Sequence, residues 1–387
     1  MKNSFLALAA AAVATLAISS SASAVTIYDK DGTTAELYGR VHAHFGSNKS
    51  GEATVNGDSS KASFSTSARL GLNLRTELTS GIAGIARAEW EMPNGNNTDV
   101  EYAGVQARYL WVGADFGNAG LVKVGKFEPA IKYAISQTDI YEDAGCTGLA
   151  GNDDRREGVV QYEWSGYGVD AILSYAFAKN GEHVDGAYQT GESANLDHTV
   201  SVALGYTTPD VLFGPISIRA GYETAKFNEN ANNFGQDATT GAYTYHYDKY
   251  NQFAVGLSWG SLDLGPYIAG VYQQRKFDVD STVPGEEGDI KVKGYEFTLG
   301  YGFANGVKIR TGYEVQKYEE SGNGDDLKAA TVPLLVLWNI NPQFDVWGEA
   351  RFDAGTDDDE NGGKNFDQAI GTDYSENVFF LGARFNY

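Results

Sequence analysis

The chain has 387 residues, with 29 Lys and Arg against 51 Asp and Glu, giving a formal net charge of −22. That balance argues against nucleic acid as a partner, because no basic surface is available to replace the counterions on phosphates. A single cysteine, Cys146, excludes an internal disulfide, and 47 Gly, 24 Tyr and 19 Phe against 2 Met and 8 Pro favour β-structure with polar turns over a helical enzyme.

The first element is not part of a fold. Met1-Lys2 is a short basic start, Phe5 to Ile18 is apolar, and Ser19 to Ala24 is a run of small residues ending in Ala22-Ser23-Ala24. This pattern predicts a secretory signal peptide over 1–24, cleaved before Val25, with 25–387 as the mature chain. A retained anchor helix would need about 20 apolar residues in a row. Beyond the leader, the best apolar run, Val332 to Ile340, is short and contains Pro333, so no transmembrane helix is predicted.

The mature chain alternates instead. From Ile82 to Met92, Ile82, Gly84, Ala86, Ala88 and Trp90 share one face, and Arg87, Glu89 and Glu91 share the other. Val307, Ile309, Tyr313 and Val315 oppose Lys308, Arg310, Glu314 and Gln316; Phe344, Val346, Ala350 and Phe352 oppose Asp345, Glu349, Arg351 and Asp353. A period of two is that of a strand with unlike faces, which a soluble sandwich would also produce.

Loop lengths separate the two. Long loops rich in Gly, Asn and Asp are predicted near 46–64, 93–100, 128–154, 180–195, 228–246, 277–289, 319–326 and 356–373. Between them lie short turns such as Thr79-Ser80-Gly81, Ser165-Gly166, Gly260-Ser261, Ala304-Asn305-Gly306 and Asn339 to Pro342. The strands so delimited are sixteen: 35–45, 66–79, 82–92, 101–115, 119–127, 155–164, 167–179, 196–207, 214–227, 247–259, 262–276, 290–303, 306–318, 327–339, 342–355 and 374–387. Most match or exceed the roughly 9–11 residues that carry a tilted strand across a bilayer. An even number of strands with alternating tight turns and long loops fits an antiparallel transmembrane β-barrel, the one β-architecture that leaves no backbone edge in lipid. The last strand ends on an aromatic, Tyr387, with Phe379, Leu381, Ala383 and Phe385 on its face and Gly382, Arg384 and Asn386 opposite. Tyr109, Trp111, Phe213, Tyr267, Trp338 and Trp347 lie near predicted strand ends, where an interfacial aromatic girdle would sit.

Local sequences then point to a family. Ile27 to Gly32 followed by Leu37-Tyr38-Gly39-Arg40, Ala68-Arg69-Leu70-Gly71-Leu72, Arg108-Tyr109-Leu110-Trp111-Val112-Gly113 and the terminal Gly382 to Tyr387 stand in order along the chain. Over essentially its whole mature length the chain resembles the general-diffusion porins of enteric and related Gram-negative bacteria. Those porins usually end in Phe, where this chain has Tyr387.

The resemblance implies an outer-membrane homotrimer, embedded in lipid and lipopolysaccharide, whose water-filled channels pass small hydrophilic solutes and ions by passive diffusion. It also implies that the third long loop, 128–154, folds inward and narrows each barrel. Opposite it, Arg40, Arg69, Arg108 and Arg155 would form a basic wall, with Arg156 an alternative to Arg155, and Asp139, Glu142 and Asp143 would form the acidic loop. The family's Pro-Glu-Phe-Gly-type motif is here Glu142-Asp143-Ala144-Gly145. Arginine keeps its charge at any working pH, so such a wall is fixed; carboxylates opposite it create a transverse field, and charge with bore width sets selectivity.

Other signals are weaker. His42 and His44, i and i+2 on the first strand, share a face with Tyr38 and Arg40; a metal pair is conceivable, but the sequence identifies no third ligand, and two lumen histidines beside a cation is the preferred reading. Asp357-x-Asp359-x-Asn361-Gly362 imitates the start of an EF-hand loop but has Gln368 at the twelfth position and no flanking helices. No catalytic or cofactor motif of the Walker, Rossmann, HExxH or GxSxG type is present. No enzyme activity, cofactor or bound metal is therefore expected. The alternatives are a solute-specific channel, for which Tyr38, Tyr133 and Tyr141 would be candidate stacking rings, and a barrel phospholipase, which would need a Ser–His pair.

Overall fold

The computed structural model describes residues 24–47, 54–55, 58–59, 63–94, 104–151, 155–182, 184, 194–228, 233–236, 243–321, 326–358, 366 and 374–387. The expected leader falls outside these residues except for Ala24, as do Asp359 to Gly362 of the EF-hand-like stretch.

Sixteen strands form the barrel. They are β1 Thr33–Ser47, β2 Ser63–Thr79, β3 Ile82–Asn94, β4 Gln106–Asp115, β5 Leu121–Phe127, β6 Arg156–Gly166, β7 Val169–Ala176 and β8 Ala194–Thr207. The second half holds β9 Ile216–Phe227, β10 Tyr243–Gly260, β11 Gly265–Ser281, β12 Gly288–Gly302, β13 Val307–Glu320, β14 Leu327–Asn341, β15 Phe344–Asp353 and β16 Val378–Asn386. Each pairs antiparallel with its chain neighbours, and β16 closes onto β1 from Arg40↔Asn386 to Ser47↔Phe379.

All sixteen expected strands are present, with shifted ends. β10 begins four residues before its expected start at Tyr247, and β11 and β12 extend into the expected 277–289 loop, leaving a hairpin over 282–287. The turn expected at Ser165-Gly166 is two residues later. Gly166 still pairs with Val169, while Tyr167 and Gly168 (φ 56° and 80°) make the two-residue connection. Two left-handed residues in succession give the type I′ twist that matches flanking strands.

Short strands beyond the expected sixteen are also present, among them Val25–Lys30, Lys179–Glu182 and Asn233–Gln236. Val25–Lys30 pairs with the part of β1 that β16 leaves free, from Val25↔Leu37 to Lys30↔Thr33. It therefore lies end to end with β16 along one edge of β1. At the junction Gly39 N donates to Tyr387 O (2.7 Å) and Tyr387 N donates to Gly39 O (3.0 Å). The aromatic terminus is thus held by backbone pairing.

The faces are inverted relative to a water-soluble sheet. Leu204, Val255, Phe297, Leu299 and Leu381 are exposed, whereas Glu223, Gln252, Gln273, Arg275, Thr298 and Glu314 are buried, each at 1% exposure or less. Such a surface is stable only against lipid, since contiguous apolar patches of this extent are not left to water. The parity also corrects the expected girdle. Trp338 is outward, and Phe213 stacks on Trp259 with ring centroids 4.1 Å apart. Trp111, Tyr267 and Trp347 are buried, and Tyr109 lies against Arg87, because these four fall on the polar parity of their strands. Tyr301, Phe303 and Phe385 are outward rings near strand ends.

Candidate functional site

Strand register assembles a charged row from residues far apart in sequence. Arg40 on β1 pairs directly with Arg69 on β2, and Arg69 with Glu91 on β3. Arg69 meets the Glu91 carboxylate at 2.8 Å; Arg108 on β4 reaches the same carboxylate at 2.7 Å and Glu89 at 3.1 Å. Glu89 also accepts from Arg87 and from the Tyr38 hydroxyl, both at 2.8 Å, and Arg87 Nε donates to that hydroxyl oxygen at 2.7 Å. Arg155, just before β6, donates to Glu128 at 3.1 Å and lies over the Tyr109 ring, whose hydroxyl also bonds Glu128.

The four arginines expected together lie on β1, β2 and β4 and just before β6. Sequence reasoning did not include the carboxylates between them. Glu89 and Glu91 were visible as the polar parity of β3, but which arginines they would meet depends on register. Arg40 differs from the other three. Among the described residues it forms no ion pair, and its Nε is shielded without a partner. Arg156, the alternative to Arg155, is buried elsewhere against Glu223 at 3.1 Å.

The segment from Glu128 to Gly151 runs beside this row. It contains one short helix, α1 Ile131–Ile135, and bonds to the polar faces of many strands. Ala130 N donates to Ser174 on β7 (3.0 Å), Ile131 N to Ser201 on β8 (2.8 Å), and Gln137 Nε2 to Ser258 on β10 (2.8 Å). Further on, three successive backbone N–H groups, of Glu142, Asp143 and Ala144, donate to the Glu349 carboxylate on β15 at 2.9–3.0 Å. Cys146 N and Thr147 N donate to Glu314 on β13 (3.1 and 2.9 Å), and Gly148 N to Glu296 on β12 (3.0 Å). Three wall carboxylates thereby satisfy six consecutive-turn donors that a loop without secondary structure would leave unpaired. Wall glycines give it room: a Cβ on Gly294 would sit 1.7 Å from Gly148 O, and one on Gly256 2.7 Å from Ala134 O.

The three expected acidic residues lie on this segment, each with its own cation or donor. Asp139 pairs with Lys132 at 2.8 Å and accepts from the Cys146 thiol at 3.2 Å. Glu142 pairs with Arg384 on β16 at 2.6 Å, and Arg384 also holds Asp345 at 3.0 Å. Asp143 bonds His44 Nδ1 on β1 at 2.7 Å and accepts from Trp347 Nε1 on β15 at 2.6 Å. Burial would raise the Asp143 carboxyl, but the His44 and Trp347 bonds outweigh it and hold it below the usual carboxylate range. Sequence reasoning missed Arg384, His44, Trp347, Lys132 and Glu349 as partners. For Arg384 and His44 the signal was available: barrel closure puts the last strand beside the first, and His42 pairs with Arg384. Tyr38, Tyr133 and Tyr141 are dispersed, held respectively by Glu89, Asp170 and Thr298, with no ring contact among them.

The sequence profile of the Gram-negative porins matches residues 7–358. The chain belongs to the Gram-negative porin family. Among curated relatives it is 24% identical over 394 residues to outer membrane protein S2 of Salmonella typhi (93% of this chain, 94% of that protein), and 27% identical over 365 residues to outer membrane porin F of the same organism (89% and 91%). Among solved structures it resembles Salmonella typhi OmpF in complex with daunomycin (TM-score 0.69, 17% identity, 94% of this chain and 100% of that one). It also resembles the trimer form of OmpT, an outer membrane protein of Vibrio cholerae (TM-score 0.66, 18% identity, 92% and 100%), and an anion-selective porin from Comamonas acidovorans (TM-score 0.63, 18% identity, 92% and 100%). These likenesses agree with the closed sixteen-stranded barrel. The porin is an outer-membrane diffusion channel, as the resemblance in its local sequences implied.

Proposed function

We propose that the Glu128–Gly151 segment, within the wider 128–154 loop, narrows the bore of this porin and that the channel passes small hydrophilic solutes and ions through a charged constriction. Arg40, Arg69, Arg108 and Arg155 are its basic wall; Asp139, Glu142 and Asp143 are its acidic loop. The observation that supports the reading is the bonding of one segment to the polar faces of β1, β7, β8, β10, β12, β13, β15 and β16.

Of the four wall arginines, Arg40 alone meets no carboxylate among the described residues. Low-dielectric walls focus the residual field across the bore, so a polar solute aligns its dipole there while an apolar one must displace ordered water. No covalent step, cofactor or enzymatic activity is required. The leader over 1–24 directs export and is removed, three copies assemble, and acidic outer loops meet lipopolysaccharide through divalent cations. The trimer reading draws on the solved trimer form of a structural neighbour.

Planar-bilayer conductance of detergent-purified protein tests the whole. Three equal closing steps and a large ohmic conductance in KCl are expected. Block by one sugar at low concentration would replace the general channel by a solute-specific one, and hydrolysis of phospholipid in the same preparation would replace it by an enzyme.

A further inference from the structure

The two histidines on β1 acquire a partner that sequence alone did not offer. His42 and His44 stand two apart on one strand face, and the loop brings Asp143 to them, so that one ligand atom from each of the three lies within 4.8 Å of the others. The rings are in edge contact, with centroids 5.1 Å apart. His44 Nδ1 already touches Asp143 Oδ1 at 2.7 Å, and the second Asp143 oxygen is fixed by Trp347 Nε1. Trp347 also packs on the His42 ring, 5.0 Å between centroids, which orients that imidazole.

The second observation concerns His42 itself. Its Nε2 is shielded from solvent and, among the described residues, bonds to nothing. A buried polar atom without a partner loses its solvation with no return, and a bound ion is one way of supplying the missing bond. His42 thus carries an unpaired nitrogen on a ring that brings a ligand atom within 4.8 Å of ligand atoms on His44 and Asp143.

We propose that His42, His44 and Asp143 form a three-ligand site for a borderline divalent transition cation such as Zn²⁺, leaving a fourth position to water. Two imidazoles and one carboxylate are the donor set that such ions prefer over Ca²⁺ or Mg²⁺, which select all-oxygen sites. Tetrahedral bonds of about 2.0–2.1 Å put ligand atoms about 3.4 Å apart. The His44–Asp143 contact would open by about 0.7 Å and the widest separation would close by up to about 1.4 Å, both within reach of side-chain torsions. An ion bound through His44 Nδ1 takes the place of the present His44–Asp143 hydrogen bond, since a coordinating nitrogen must be proton-free. Trp347 is the outer partner that orients the carboxylate. Arg40, which meets no carboxylate among the described residues, weakens a dication's affinity, so micromolar rather than nanomolar binding is expected.

The consequence is a tie between wall and loop. His42 and His44 belong to β1, while Asp143 belongs to the 128–151 segment, so an ion here adds a strong bond across the contact and places a positive charge beside Arg40. Its effect on current rests on the constriction reading; the binding does not.

Co²⁺, whose tetrahedral complexes absorb strongly in the visible, reports binding directly on the trimeric protein in detergent, and Zn²⁺ should displace it at one ion per chain. His42→Gln and His44→Gln should each weaken binding by at least the ~10–100-fold that loss of an outer partner costs a metal site. Zn²⁺ at micromolar concentration should lower single-channel conductance of the unsubstituted protein, Mg²⁺ at the same concentration should not, and His42→Gln should abolish the difference. Absence of a tetrahedral Co²⁺ spectrum, or one that survives unaltered in both variants, overturns the site. A normal spectrum with no change in conductance upholds the site and overturns the constriction.

Discussion

Arg40 differs in pairing from the arginines that carry the same charge beside it. Arg69, Arg108 and Arg155 each meet a carboxylate within 3.1 Å, and Arg40 meets none among the described residues. A unit charge acting at about 5 Å contributes about 1–3 kcal/mol for an effective dielectric between those of water and a protein surface. Arg40→Ala should therefore move the reversal potential in a KCl gradient toward cation preference by more than Arg108→Ala, which leaves Glu89 and Glu91 still held by Arg87 and Arg69. Asp139→Ala removes one carboxylate from the loop and should move it in the opposite sense. Equal shifts for Arg40→Ala and Arg108→Ala would mean that local pairing does not govern the field. These charges were legible individually from residue type and parity. Their pairing was not, because it depends on a register that alternation alone leaves free by two residues.

The loop between β5 and β6 shows the limit of pattern reading at the level of elements. Its length and its acidic residues were evident, but its path is written elsewhere: in Gly256 and Gly294, which admit its backbone, and in Glu296, Glu314 and Glu349, which accept its N–H groups. In sequence these glutamates read only as polar-face residues of strands. Val25–Lys30 was missed for a related reason. Its alternation is too short to stand alone, and its place is fixed by the edge of β1 beyond the end of β16. Glu349→Gln tests the acceptor role. It keeps the shape but removes the charge that three N–H groups share, and charge-assisted hydrogen bonds contribute about 1.5–3 kcal/mol each against about 1 for neutral ones. We expect the barrel to stay resistant to protease and the 142–148 stretch to become cleavable, with cut sites read by mass spectrometry. Protection equal to that of the unsubstituted protein would show that backbone fit to the glycines, and not Glu349, holds the loop.

At the scale of the whole molecule the decisive property is the inversion of faces, and it was readable because a barrel repeats it sixteen times. Any one strand, such as Phe344–Asp353, could belong to a soluble sandwich; the rhythm of loops and the closing aromatic strand distinguished the two. The inversion makes a quantitative demand on the outer face. Val255 is exposed near the middle of the stretch where β10 pairs with both neighbours, opposite Ala220 on β9 and Tyr272 on β11. If lipid covers it, Val255→Arg should cost about 2–4 kcal/mol, the penalty for arginine at mid-bilayer in a barrel. Val255→Ala removes only two methyl groups' worth of burial and should cost about 1–2 kcal/mol at most. Folding into vesicles across a urea gradient, followed by the heat-modifiable mobility of the barrel on gels, separates the two. On a face washed by water the arginine would be harmless and the ranking would vanish, and with it the assignment of the apolar surface to the membrane.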